Sequence, residues 1–241
     1  MLQALPHDLT LVYYFYGMHK LLLLILFLFL SFLTYAQQAK GWLIYFGQTQ
    51  IANSKFSIHH EAQFRDHKIF GDHHQSLVRV AGQYRFNPSF QTSLGYGFFY
   101  SELEGSPNSP LNEHRIYQEL MINTPVLNSS IRHRIRTEQR FIDGADFAAR
   151  FRYSLFADIP LNDRGFSKGG TYLAFYDEVF LNAIKQKQQN VFDRNRLYGG
   201  FGYKVKSNLG VQLGYMLQHV GRNKAGHHLL LSFHHQLKLT R

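Results

Sequence analysis

The sequence predicts an all-β chain: an antiparallel transmembrane β-barrel of about 10–12 strands, after an N-terminal signal peptide. Three observations carry this. Beyond residue 40, apolar and polar side chains alternate with a period of two in segment after segment, and a helical period never asserts itself. Most segments have the ~9–11 residues that a tilted strand needs to cross a bilayer. The apolar faces are rich in large aromatics, among them Tyr84, Tyr96, Phe98, Tyr100, Phe151, Tyr153, Phe201, Tyr203 and Tyr215, as interfacial girdles require.

The leader comes first in the chain. His19 and Lys20 form a basic start, Leu21 to Leu33 an apolar core, and Thr34-Tyr35-Ala36 a small-residue exit. That core is shorter than the ~20 residues of a spanning helix, so residues 1–36 are expected to be a signal peptide, with Met18 as an alternative start. Residues 37–241 are expected to form a single outer-membrane barrel domain. The chain contains no cysteine, although export would permit disulfides, so backbone pairing and packing must hold the fold. A net charge of +10 would suit nucleic acid, but export argues against that partner. The partners expected are outer-membrane lipids, lipopolysaccharide and the barrel-assembly machinery, in the cell outer membrane; the sequence sets no oligomeric state.

Eleven segments follow. The first covers 41–51. In 55–65, Phe56, Ile58, Ala62 and Phe64 alternate with Ser57, His59, Glu61, Gln63 and Arg65. In 76–86, Val78, Val80, Tyr84 and Phe86 oppose Arg79, Ala81, Gln83 and Arg85. Segments 90–101 and 113–124 flank the turn-rich Gly105–Pro110 stretch. In 130–141, SIRHRIRTEQRF, the residues Arg132, Arg134, Arg136, Glu138 and Arg140 fall on every second position, a row that only a strand collects on one face. In 147–159, Arg150, Arg152 and Ser154 oppose Phe147, Ala149, Phe151, Tyr153 and Leu155. Segment 171–182 holds FYDEVF. In 194–205, Arg194, Arg196 and Lys204, with Gly200 and Gly202, oppose Leu197, Phe201, Tyr203 and Val205. Segments 209–219 and 227–239 alternate likewise.

Short turns are expected after residues 51, 86, 124 and 205, and longer connections after 65, 101, 182 and 219, the short-periplasmic, long-extracellular habit. With that orientation segment 41–51 would begin outside the cell, and an even-stranded barrel with a periplasmic N-terminus would need a twelfth strand. A soluble exported sandwich or lipocalin-like barrel, with apolar residues inside, is the competing architecture.

The blocks RIRTEQRF (134–141), RFRYSLFADIPL (150–161), FYDEVFLN (175–182) and FDRNRLYGGFGYKV (192–205), in this order and spacing, resemble an uncharacterised family of outer-membrane β-barrels, domain of unknown function 2490. The resemblance spans roughly residues 40–240. It implies a barrel and an outer-membrane location; it implies no activity and no catalytic residues.

The chemistry visible in the sequence is charge. Arg132, Arg134, Arg136, Arg140, Arg150, Arg152, Arg194 and Arg196 are expected to line the lumen, with Glu61, Glu119, Glu138 and Asp177 or Glu178 as partners. Such a set is either a salt-bridge network that fills the lumen or an anion-attracting lining. Asp177 and Glu178 point to opposite faces of a strand and so cannot work as an acid–base pair. His59, His228 and His234 could approach one another at the closing seam, but a metal needs three or four converging ligands, and no metal is expected. P-loop, dinucleotide and EF-hand patterns are absent, so no cofactor is expected. Ser57 with His59, and Ser232 with His234, share faces at a spacing too common to be a motif. The function expected is a small anion-favouring pore or a structural envelope protein. The alternative is a lipid-modifying enzyme of the phospholipase or lipid A deacylase type.

Overall fold

A computed structural model describes residues 39–69, 71–185, 189–221 and 224–239. The expected signal peptide lies outside the described residues. Among the described residues eleven strands form: β1 Lys40–Ile51, β2 Phe56–Asp66, β3 His73–Arg85, β4 Phe90–Ser101, β5 Leu111–Val126, β6 Ser129–Ile142, β7 Ala148–Pro160, β8 Thr171–Ile184, β9 Phe192–Lys206, β10 Leu209–Val220 and β11 Lys224–Leu239. Each coincides with one expected segment. They close into a single barrel in chain order, which leaves no unpaired edge.

Every consecutive pair is antiparallel, but β1 meets β11 in parallel, with Lys40 beside His228 and Ile51 beside Leu239. This follows from the odd count. Each hairpin reverses direction, so the eleventh strand runs the same way as the first. No twelfth strand is needed, and β1 begins at one end of the barrel while β11 finishes at the other.

One end carries the connections 52–55, 86–89, 127–128 and 207–208. Two of these are two-residue turns, and in one of them, Leu127-Asn128, Leu127 sits at φ 53°, in the left-handed region that two-residue hairpins favour. The connection 161–170 at this same end is longer than the expected alternation of lengths allows. It is tied down to β9 by Gly169 N donating to Lys204 O at 2.8 Å and Lys204 N donating to Gly170 O at 2.9 Å. At the opposite end β2 leads to β3, β4 to β5, β6 to β7, β8 to β9 and β10 to β11.

The pleat sorts side chains into two environments. Leu43, Phe64, Val78, Leu94, Leu197, Phe201 and Leu213 point outward and are exposed. Glu61, Arg65, Glu119, Arg136, Glu138, Arg150, Arg152 and Glu178 point inward and are buried. This is the reverse of a soluble barrel, in which the apolar face fills the interior.

The interior is not uniformly polar. Trp42, Ile44, Tyr172, Ala174, Tyr198, Met216 and Leu230 form a buried cluster, with Phe46 and Tyr176 against it. These residues occupy the inner faces of β1 and β8–β11, opposite the arginine row. Glycines on neighbouring strands make room for the rings: a Cβ at Gly202 would overlap the Tyr172 ring, and one at Gly214 the Tyr198 ring. A missing side chain beside a large one is how a narrow barrel fills its lumen without strain.

Candidate functional site: a salt-bridged plug and the vestibule above it

The strand register decides which charges meet. Arg136 on β6 lies directly opposite Arg152 on β7, a like-charge pair that would repel if left alone. Glu138 and Glu178 are placed between such cations. Glu138, 1% exposed, accepts from Arg150 Nη2 at 2.6 Å and from Arg152 Nη1 at 2.5 Å. Glu178 Oε1 accepts from Arg134 Nη2 at 2.6 Å, from Arg152 Nη2 at 2.5 Å and from Ser154 Oγ at 2.8 Å. Arg136 donates to Glu119 through Nε at 2.7 Å, and Arg196 Nη1 lies 3.8 Å from Glu178 Oε2. The result is a continuous web across β5–β9. Charges removed from water are tolerable only when paired and hydrogen-bonded in this way.

Aromatic rings fill the gaps. Arg152 lies 4.4 Å and Arg196 4.8 Å from the centre of the Phe180 ring, while Arg65 sits 3.9 Å from that of Trp42. A guanidinium stacked on a ring keeps its in-plane donors free for carboxylates.

The remaining sequence candidates are placed as follows. Arg132 bonds Asp158 nearer the short-turn end, and Arg140 bonds Glu113 at 2.5 Å toward the other. Arg194 pairs with its neighbour Asp193 at 3.0 Å and not with a β8 carboxylate. Glu61 takes Arg79 at 2.7 Å and His59 at 3.3 Å. Of the two β8 acids only Glu178 faces in. Asp177 points outward and accepts from Asn195 Nδ2 at 2.5 Å, so it is no partner of the arginines. Sequence reasoning put Arg65 and Arg79 on polar faces but left them out of the lumen set, and it missed Glu113, Arg115, Asp158 and Asp193; Glu113 and Arg115 carry the same parity as Glu119, which would have revealed them.

The three seam histidines do not converge. His228 packs edge-on against Trp42, His234 contacts Ser232, and His59 bonds Glu61. Among the described residues no group of three or more His, Asp or Glu could hold a metal ion.

Between this plug and the short-turn end lies a cavity of about 380 Å³. One wall carries Arg132, Arg134 and Arg136; the other carries Ile44, Phe46, Tyr176, Tyr198 and Leu230. Its mouth is marked by residues close to strand ends, including Arg85, Gln91, Asp158 and Lys204. Ser232 Oγ and His234 Nε2, both on its lining, are 3.0 Å apart. No carboxylate contacts His234 among the described residues, whereas Arg132 and Lys204 lie within electrostatic reach of it. Cations oppose the imidazolium that a general base must become.

The family model described as protein of unknown function (DUF2490) matches residues 39–228. The chain belongs to this family. The match takes in all of β1–β10 and the first residues of β11, and therefore the whole plug. No curated protein and no solved structure matches this DUF2490 chain.

Proposed function

We propose that this DUF2490 protein is an outer-membrane β-barrel that serves as a closed structural element of the bacterial envelope, with its short turns on the periplasmic side. The observation that carries the location is the inverted barrel. An all-round belt of outward Leu, Val, Phe and Tyr side chains surrounds a charged interior, and soluble monomers rarely expose apolar surface on that scale. The observation that carries the closed state is the web at Glu138 and Glu178. Its arginines already hold carboxylate partners, so they do not offer a free cationic ring to passing anions.

The test is single-channel recording of the refolded chain in a planar bilayer across a salt gradient, after heat-modifiable gel migration has established insertion. A folded, inserted and silent barrel is the expected result. A steady anion-selective current would overturn the closed reading in favour of a pore, and failure to insert would overturn the location.

The 3.0 Å contact between Ser232 and His234 favours a second reading, acyl-ester hydrolysis in the vestibule. Among the described residues no third group orients the histidine. Loss of a measurable esterase rate in Ser232→Ala would establish it.

A further inference from the structure

The vestibule has donors without acceptors. Arg132 Nε, Arg134 Nε and Arg136 Nη1 are buried and have no hydrogen-bond partner, although Arg134 Nε lies 3.7 Å from a Glu119 oxygen and Arg136 Nη1 3.7 Å from a Glu138 oxygen; each belongs to a side chain on the cavity wall. Lys204, 9% exposed, faces the same space and forms no ion pair among the described residues. The carboxylates on the wall are already engaged: Asp158 by Arg132, Glu119 by Arg136, and Glu61 by Arg79, which is not itself on the lining. A buried donor left unmade is costly, so this wall, with Lys204 unpaired beside it, is short of acceptors.

The facing wall is of another kind. Phe46, Leu230 and the stacked rings of Tyr176 and Tyr198, with centroids 4.7 Å apart, give it an apolar surface. The inward Ala174, 4% exposed, leaves depth between Tyr172 and Tyr176. A concave site of a few hundred Å³ with one apolar wall and a few convergent polar groups is the usual form of a small-molecule pocket.

We infer that the vestibule binds an amphiphilic organic anion, a carboxylate or phosphate monoester carried on an apolar body of roughly eight carbons, a size set by pocket volume. The head meets Lys204, Arg132 and Arg134, and the body lies along Phe46, Tyr176 and Leu230. The plug below forms the floor. The ligand enters from the short-turn end and has no route onward through the barrel. The site itself is read from the vestibule; the dead end and the nanodisc test rest on the closed, membrane-inserted reading, which heat-modifiable migration checks separately.

The test is titration calorimetry on the refolded full chain in lipid nanodiscs, with empty nanodiscs subtracted. The probes are octanoate, octyl phosphate, octyltrimethylammonium and inorganic phosphate. Saturable binding of one or both octyl anions is expected, with the cation about tenfold weaker or worse. The tighter of the two anions identifies the head group. Arg132→Gln and Lys204→Met sit near the mouth, outside the web at Glu138, and should each weaken the anion about tenfold. Ala174→Trp should abolish binding by filling the pocket. Equal binding of the octyl cation, or binding that survives Ala174→Trp, would overturn the proposal by placing the ligand in the lipid or on the outer belt. Inorganic phosphate binding as tightly as octyl phosphate would overturn the amphiphile assignment. Heat-modifiable migration of each variant separates lost binding from lost folding.

Discussion

Glu138 Oε1 accepts a hydrogen bond from Arg152 Nη1 at 2.5 Å, and its second oxygen accepts from Arg150 Nη2 at 2.6 Å. One carboxylate thus holds two strand-neighbour guanidiniums together at the centre of the barrel. The direct opposition of Arg136 and Arg152 across β6 and β7 is tolerable only because carboxylates such as this one stand beside it.

Removing that carboxylate should leave buried cations short of a partner. Glu138→Ala is expected to lower folding stability by about 3 kcal/mol or more, the cost of breaking one side of a buried pair. Arg132→Gln, which breaks the pair with Asp158 near the mouth, where the Arg132 side chain is 35% exposed, should cost less because water reaches that pair. Urea unfolding in lipid vesicles measures both. Equal losses would mean that water reaches the plug as freely as it reaches the mouth.

The parallel seam can be tested directly, because the chain contains no cysteine of its own. Leu43 and Leu231 are register partners across β1 and β11 and both point outward. The double variant Leu43→Cys with Leu231→Cys should form a disulfide on mild oxidation, since adjacent-strand positions bring Cα atoms within bonding range. Leu43→Cys with Leu237→Cys, offset along β11, should not. The opposite pattern would show that β1 and β11 meet in another register.

Asp177 is the outward carboxylate of β8, bonded to Asn195 amid exposed apolar side chains. A charge on a lipid-facing surface is destabilising in a depth-dependent way, less so for Asp than for Lys or Arg. Asp177→Asn should therefore raise stability in lipid vesicles by roughly 0.5–1 kcal/mol. A loss of stability instead would show that the carboxylate makes a favourable contact on this face that lipid does not supply.

The strands and the two faces of each were legible in the chain, because a period of two survives any tertiary arrangement: Arg132, Arg134 and Arg136 must share a side whatever they meet. Strand length and the aromatic apolar faces argued for the inversion, which the alternation of Phe201 and Tyr203 with Arg194, Arg196 and Lys204 does not fix by itself. Three things were decided only by the folded barrel. The parallel β1–β11 closure depends on which strands become neighbours, and no local pattern encodes that. The choice of Glu178 over Asp177 depends on the register of β8 against β7 and β9, where a slip of one residue would exchange the two. The vestibule is the furthest from the sequence. Phe46, Tyr176, Tyr198 and Leu230 look like any other apolar strand residues until closure brings β1 and β8–β11 to face the arginines of β6. Alternation says that a side chain points inward, and only the curvature of the closed sheet says what stands across the lumen from it.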